Sequence, residues 1–143
     1  MKCDQLSIFL ENRAGRLAEV TRLLSEAKVN IRALSLADTS DFGILRLIVS
    51  DFDKAQKTLK DAGFTVGKTT VVAVVVDDHP GGLHSLLEML RNASINVEYM
   101  YAFVQQSGNN AVIIFRFDRT DQAIELLAEN NIQMIPSEEL SKL

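Results

Sequence analysis

Two short segments hold the residue types from which a small-molecule site is commonly built. The first reads Asn12-Arg13-Ala14-Gly15-Arg16-Leu17, and the second reads Asp78-His79-Pro80-Gly81-Gly82-Leu83. Glycine in such a turn lets the backbone bend sharply and lets a ligand approach closely. Where a helix follows, its first N–H groups lack partners and lie at the positive end of the helix dipole. This arrangement favours a small carboxylate as ligand.

At four positions in or near these segments, a structural role competes with ligand binding. Asn12 and Asp78 occupy equivalent places, and both residue types are favoured helix N-caps. Asn30 and Asn96 follow the next helix, where asparagine often forms a left-handed cap. Each of these four side chains therefore serves either as a cap or as a ligand contact.

Catalytic chemistry finds little support in the sequence. His79 and His84 are the only histidines, and their spacing fits no two-ligand metal site on a helix. Cys3 is the only cysteine, which excludes a multi-cysteine metal site. We expect no catalytic residue, no metal and no cofactor. The weakest alternative is an enzyme that uses one of the histidines with Asp78.

An internal repeat relates the two segments. Residues 12–17 align with residues 78–83 at an offset of 66, and Asn30 then aligns with Asn96. Later in the chain the offset becomes 68, so that Leu45 and Leu47 align with Ile113 and Phe115. We place the two-residue insertion in the turn 106–110. The repeat predicts a duplicated domain with boundaries 1–70 and 71–143. Residues 67–70 then form a connection too short for a free linker.

Each copy has the hydrophobic pattern strand-helix-strand-strand-helix-strand, typical of a ferredoxin-like split βαβ unit. The sequence thus predicts an α+β fold of two tandem βαββαβ units, with antiparallel sheets and the helices on one face. Gly63 and Asn131 stand where a left-handed helix C-cap needs glycine or asparagine. The expected strands are 6–10, 31–37, 44–49 and from 64 in the first copy, and 71–76, 97–104, 112–117 and from 132 in the second. The expected helices are 17–27, 53–62, 83–93 and 121–130, and the expected turns between strands are 39–43 and 106–110.

Two strands of the second copy are apolar on both faces. Residues 71–76 are one of them, and in the other Tyr99, Tyr101 and Phe103 alternate with Met100, Ala102 and Val104. One layer of helices covers only one face of a sheet, so the other face must meet a partner surface. We therefore expect at least a homodimer. Arg13 and Arg16, by contrast, are interpreted as solvated turn residues.

Composition narrows the classes of partner. The 143 residues carry a net charge of −4, which disfavours nucleic acid because phosphate binding needs a basic face. No apolar run reaches the length of a membrane span, and the N-terminus shows no signal peptide. We expect a cytoplasmic protein with no nucleic-acid and no membrane partner.

The string Glu11-Asn12-Arg13-Ala14-Gly15-Arg16-Leu17, followed by a helix and Val29-Asn30-Ile31, resembles the ACT domain, an amino-acid-sensing module of metabolic enzymes. The resemblance is close to the regulatory domain of phosphoglycerate dehydrogenase and to small subunits of acetolactate synthase. A second instance, Asp78 to Leu83 with Ile95-Asn96-Val97, extends it over nearly the whole chain. ACT domains pair side by side through their sheets and bind a free amino acid at the interface.

The resemblance implies ligand-binding residues by position. They are Asn12, Arg13, Ala14, Gly15, Arg16, Leu17, Asn30 and Ile31 in the first copy, and Asp78, His79, Pro80, Gly81, Gly82, Leu83, Asn96 and Val97 in the second. Leu10 stands where the dehydrogenase pattern has a histidine, and Asp78 stands where the first copy has Asn12. A carboxylate at 78 would repel a ligand carboxylate, so the two sites are expected to be unequal.

The sequence therefore predicts a stand-alone tandem ACT protein that binds a free amino acid and controls an enzyme or pathway of amino-acid metabolism. The alternative is a ligand-independent regulatory or assembly subunit of a biosynthetic enzyme such as acetolactate synthase.

Overall fold

The computed structural model describes residues 1–38, 41–103 and 109–143, which fold into two compact units. The first unit comprises Asp4–Thr69 with Lys142; the second comprises Met1–Cys3, Thr70–Ser141 and Leu143. The strands are β1 (Cys3–Glu11), β2 (Ile31–Asp38), β3 (Phe42–Val49), β4 (Thr65–Asp77), β5 (Val97–Ala102), β6 (Asn110–Phe117) and β7 (Met134–Ile135). The helices are α1 (Arg16–Glu26), α2 (Phe52–Asp61), α3 (Gly82–Asn92), α4 (Thr120–Glu129) and α5 (Ser137–Leu140).

In the first unit the strand order is β2-β3-β1, followed by the start of β4. β3 pairs antiparallel with β1, opposing Leu6 to Leu47, and also antiparallel with β2. Alternate residues of β1 are apolar and buried, and they form one core with Leu24 of α1 and Leu59 of α2. Both helices therefore cover the same face of the sheet, as the alternating pattern of β1 predicts.

The second unit repeats this plan with the strand order β7-β4-β6-β5. Its core joins Val72 and Val74 of β4 to Leu90 of α3 and Leu127 of α4. The rings of Phe115 and Phe117 in β6 stack with their centroids 5.3 Å apart. The predicted α+β fold with two βαββαβ-like units is confirmed.

All four long helices end in the same way. Lys28, Gly63, Ser94 and Asn131 have positive φ, and the residue after each donates its N–H back to a carbonyl five residues earlier. This is the Schellman motif, and it turns a following apolar residue into the core. The predicted left-handed conformations of Gly63 and Asn131 are confirmed. The motifs at Lys28 and Ser94 were not expected, because lysine and serine adopt this conformation rarely.

Residues 67–70 form no free linker, because they lie inside β4, which runs without interruption for 13 residues. That the strand is continuous from Thr65 to Asp77 was not expected. Threonine and valine favour extended backbone, and this segment holds many of them and no proline. The short helix α5, with Leu140 buried, was also not expected. Val104, most of the turn 106–110 and part of the turn 39–43 lie outside the described residues.

Burial also corrects the surface on which the expected dimer rested. The side chains of Val71 to Val74 are fully buried in the single chain, so they need no second copy to cover them. In β5, Tyr99 and Tyr101 are half-buried and Met100 is 41% exposed. The larger apolar exposure lies in the first unit, at Phe9, Leu34, Leu36 and Phe42. Across the described residues, no helix has both the length and the apolarity to cross a membrane.

The turn before α3 is closed so tightly that it admits only glycine at position 82. A Cβ built on Gly82 would overlap the backbone carbonyl oxygen of Asp77, whereas a Cβ on Gly67 in β4 would meet nothing within 4 Å. We expect Gly82→Ala to lower the free energy of unfolding by about 1–3 kcal/mol or more, because backbone must move to relieve the overlap. The matched change Gly67→Ala should stay within about 1 kcal/mol of wild type. Urea unfolding of both variants checks this; equal losses would contradict it.

Candidate functional site

The first turn connects β1 to α1, and its geometry excludes the capping role of Asn12. Gly15 is the N-cap residue of α1, with a left-handed φ of 91°, so the helix begins four residues after Asn12. The backbone N–H of Asn12 donates to the carbonyl of Asp41 at 2.9 Å, which ties the start of the turn to the strand β3 region. The interpretation of Asn12 as an N-cap is therefore wrong. Its side chain is exposed at the turn.

A cavity of about 270 Å³ opens at this turn. Residues 11–15 and Leu17 form one side of it, and Leu10, Leu36 and Gly43 form the rest. Thus the structure brings five of the predicted first-copy residues together: Asn12, Arg13, Ala14, Gly15 and Leu17. The volume is slightly below the usual range for ligand pockets, about 300–1,000 Å³. Leu36 and Gly43, which bring β2 and β3 into the wall, were not expected from the sequence.

The charges at the mouth of this cavity are paired. The Nε of Arg13 lies 3.2 Å from a carboxylate oxygen of Glu11, and both side chains are more than half exposed. Such an exposed pair contributes little to stability. It places one positive and one negative group beside the cavity, next to the first turn of α1, where the N-cap residue Gly15 has no side chain to accept a hydrogen bond.

Arg16 is the one residue of the motif that does not line this cavity, and its interpretation as a solvated residue is wrong. Its guanidinium carbon lies 4.4 Å from the ring centroid of Phe64, and its Nη1 donates to Glu19 at 2.9 Å. The side chain is only 21% exposed. Within the described residues its Nε is buried without a hydrogen-bond partner. Arg16 thus packs between α1 and the chain that follows α2.

The second turn has the same plan with different side chains. Gly81 is the left-handed N-cap residue of α3, and the N–H of Asp78 donates to the carbonyl of Asn109 at 3.1 Å. The interpretation of Asp78 as an N-cap is therefore wrong as well. Asp78, His79 and Pro80 are exposed, whereas Gly82 and Leu83 are half-buried.

Within the described residues, His79 contacts Pro80 and Asp77 and not Asp78. The Nδ1 of His79 lies 3.0 Å from the Pro80 carbonyl oxygen, and its Nε2 lies 3.7 Å from Asp77. His84 is exposed on α3. Among the described residues, no group of three His, Cys, Asp or Glu is arranged to hold a metal ion.

Asn30 and Asn96 do not act as left-handed caps; that conformation belongs to Lys28 and Ser94, two residues earlier. The N–H of Asn30 donates to Ser50 Oγ at 2.9 Å, and the N–H of Asn96 donates to Asp118 Oδ1 at 3.0 Å. The asparagine side chains are left exposed at the starts of β2 and β5. Ser50 and Asp118 are partners that the sequence did not reveal, because only the fold brings them close.

Within one unit, Asn12 and Asn30 cannot contact the same small ligand. They lie at opposite ends of α1, whose 11 residues span about 16 Å. Asn30 and Ile31 instead line a separate cavity of about 390 Å³ beside Ser25 and Lys28. Of the second-copy positions, Asn96 and Val97 stand at the start of β5, at the far end of α3 from the second turn.

Comparison with known proteins settles the family. The ACT domain pair family matches residues 1–143, the whole chain. The chain belongs to the ACT domain family. It is an ACT domain regulatory protein, and its two-unit α+β fold is that of the family.

Individual relatives are similar over different lengths. A protein from Bacteroides thetaiotaomicron, BT0572, is 44% identical, with a TM-score of 0.94 over 100% of this chain and 98% of that one. The acetolactate synthase small subunit of Buchnera aphidicola is 32% identical over 54% of this chain. This chain spans about half, 48%, of that curated relative. The regulatory subunit of aspartate kinase from Thermus thermophilus shares the fold, with a TM-score of 0.61 at 15% identity over 88% of this chain and 91% of that one.

The packing of Arg16 gives a test that separates it from an ordinary surface arginine. Arg16→Lys keeps the charge but loses the planar group over Phe64, so we expect about 1 kcal/mol of lost stability. Arg22, which pairs with Glu26 on the exposed face of α1, is the matched control, and Arg22→Lys should change stability by a few tenths of a kcal/mol. Urea unfolding midpoints of the two variants measure the difference. Equal midpoints would mean that the contact with Phe64 adds nothing.

Proposed function

We propose that this ACT domain pair binds a free amino acid at the first turn and regulates an enzyme of amino-acid metabolism. The cavity formed by Asn12, Arg13, Ala14, Gly15 and Leu17 carries the proposal. These residues were selected from the sequence as ligand contacts, and in the fold they line one cavity beside a helix N-terminus.

The charges around the cavity suit a zwitterion. The uncapped N–H groups at the start of α1 and the guanidinium of Arg13 attract a carboxylate, and the carboxylate of Glu11 attracts an ammonium group. Asn12, which has both a donor and an acceptor, is able to serve either group.

The cavity walls select the side chain of the ligand. Leu10, Leu17 and Leu36 supply apolar surface, and Gly43 leaves space where a larger residue would fill it. A small aliphatic amino acid buries its side chain against these leucines, whereas a charged side chain would lose its hydration there. We therefore expect the ligand to be a small or branched aliphatic amino acid.

A second copy of the chain completes this site. β2 is an edge strand, and its side chains Leu34 and Leu36 are 49% and 51% exposed. If two copies pair antiparallel through β2, the Ile31 end of one strand lies opposite the Asp38 end of the other. That places Asn30 and Ile31 of one copy near the Leu36 wall of the other copy's cavity. In this homodimer Asn12 and Asn30 contact one ligand from different copies.

The second turn forms a weaker or more selective site. The carboxylate of Asp78 replaces the amide of Asn12, and it repels a ligand carboxylate at the same distance. We assign Asp78, His79, Pro80, Gly81, Gly82 and Leu83 of one copy, with Asn96 and Val97 of a second copy, to this second site. We expect it to fill after the first or not at all.

The output passes to a partner enzyme. Ligand binding shifts the balance between two arrangements of the protein only by the difference in affinity for them, and the homodimer offers contacts that the monomer lacks. Similarity to an acetolactate synthase small subunit favours a biosynthetic enzyme as the partner. The same similarity supports the second candidate, an assembly subunit of such an enzyme that has no ligand of its own.

Asn12 provides the direct test of the ligand site. Thermal-shift screening with the twenty amino acids identifies the ligand, and calorimetric titration then gives its affinity. Asn12→Ala removes a hydrogen bond to a charged group, so we expect affinity to fall roughly ten- to a hundredfold. Asn12→Asp should weaken binding at least as much if the amide faces the ligand carboxylate, because like charges then meet.

Stability separates this result from a folding defect. Asn12 is exposed and lies outside α1, so both variants should keep the unfolding midpoint of wild type. Asn92→Asp, at the exposed end of α3, controls for an added negative charge elsewhere and should leave the affinity unchanged. Wild-type affinity in Asn12→Asp would place the ligand elsewhere, and no binding by any amino acid would favour the assembly subunit.

The dimer is tested at the exposed face of β2. Leu34→Glu puts a charge into the proposed interface, so we expect a dimer in wild type and a monomer in this variant. Gln122→Glu, on the exposed side of α4 in the second unit, is the control and should remain a dimer. Light scattering at micromolar concentration gives the masses. A monomeric wild type would overturn the two-copy site, and a dimeric Leu34→Glu would move the interface to another surface.

A further inference from the structure

A second cavity, of about 330 Å³, lies in the second unit between the start of α3 and the chain that follows α4. All of its lining residues belong to the second unit. It lies where Asp77 at the end of β4 pairs with Asn110 at the start of β6, whereas Val97 at the start of β5 pairs with Phe117 at the other end of β6. The cavity is therefore separate from any ligand site at the start of β5.

The repeat shows what this cavity corresponds to in the first unit. At the offset of 66 its residues Gly82, Ser85 and Met89 align with Arg16, Glu19 and Leu23. At the offset of 68 its residue Ile132 aligns with Phe64. Three of these four first-unit positions belong to one cluster. They are Arg16, Glu19, which accepts a hydrogen bond from its guanidinium, and Phe64, whose ring lies against that guanidinium.

The cavity is thus the niche of Arg16 without its arginine. Gly82 has no side chain to enter it, and no larger residue fits at 82 because a Cβ would overlap the carbonyl oxygen of Asp77. The replacement of Phe64 by Ile132 and of Glu19 by Ser85 removes further volume from the same place. The space left is large enough for a small molecule.

The polar groups of the cavity favour a cation. Among the described residues that line it, Asp77 alone is charged, and Ser85, Asn110, Asn131 and Gln133 add oxygen acceptors together with amide N–H groups. No lysine, arginine or histidine is among the lining residues. His79, 3.7 Å from the Asp77 carboxylate, is the nearby basic group. A cavity with one carboxylate and several acceptors attracts a group that is rich in N–H donors and positively charged.

We propose that this cavity binds a small molecule that carries a guanidinium group. The first unit holds a guanidinium in the corresponding niche, and the second unit keeps the shape of that niche with a carboxylate at its rim. Asp77 and the amide oxygens of Asn110 and Asn131 accept its N–H groups, and Met89 and Ile132 pack against its plane.

The test uses agmatine, a guanidinium compound with no carboxylate, so that binding at the first turn does not contribute. Titration calorimetry of the full chain should show that agmatine binds. N-carbamoylputrescine, which differs from agmatine only in a neutral urea in place of the guanidinium, should bind at least tenfold more weakly. The variant Asn12→Ala should bind agmatine as wild type does. Failure of the amino-acid site therefore leaves this result unaffected, and the reverse also holds.

Position 85 offers two opposite changes at one exposed residue. Ser85→Glu restores the carboxylate that Glu19 supplies in the first unit, and we expect agmatine to bind about two- to fivefold tighter. Ser85→Arg places a cation in the niche and should weaken agmatine binding more than tenfold. Circular dichroism and the unfolding midpoint show whether both variants fold. If one of them does not fold, Asp77→Asn tests the site independently, and we expect it to weaken agmatine binding.

Three outcomes overturn the proposal. They are the absence of agmatine binding to wild type at millimolar concentration, equal affinity for N-carbamoylputrescine and agmatine, and an unchanged affinity in both variants at position 85. Tighter binding of the capped peptide Gly-Arg-Gly than of agmatine would overturn the small-molecule assignment and identify an arginine of a partner protein as the occupant.

Discussion

The left-handed backbone of Gly15 and Gly81 is the constraint on which two cavities depend: the one at the first turn and the one beside the start of α3. It sets the residue at which the first helix of each unit begins, four positions after Asn12 or Asp78. Had either residue capped its helix directly, the intervening turn would not exist and neither turn would have a concave surface. Arg16 and Gly82 are the first residues of these two helices. The long side chain of Arg16 packs on Phe64, whereas Gly82 has no side chain and leaves the equivalent space open.

Much of the fold could be predicted from the sequence because it depends on periodicity. Alternating apolar residues identified β1, and helical spacing identified α1 to α4, since each pattern reports which face meets the core. Gly63 and Asn131 were predicted to be left-handed from residue type. Lys28 and Ser94 were not, because their conformation is imposed by the burial of Val29 and Ile95 and not by their own preference.

The site was predictable only in part, for a similar reason. Residue types and the family resemblance selected the first turn, most of whose residues line one cavity. They did not reveal Leu36 and Gly43, which reach the cavity through strand pairing distant in sequence. The burial of Arg16 was also hidden, because Phe64 is its neighbour only after the chain returns from α2. From sequence alone, an arginine beside a glycine turn is interpreted as solvated, because its aromatic partner is known only from the fold.

The close approach of Gly82 to the Asp77 carbonyl has an evolutionary consequence. After duplication, repeats can exchange residues by recombination or return to an ancestral state by single substitutions. At position 82 no single substitution can do this, because any side chain would overlap the Asp77 carbonyl oxygen unless the backbone of the turn 77–82 changed first. A side chain equivalent to that of Arg16 therefore cannot return to the second unit without a change of the backbone, and the cavity stays open at this point.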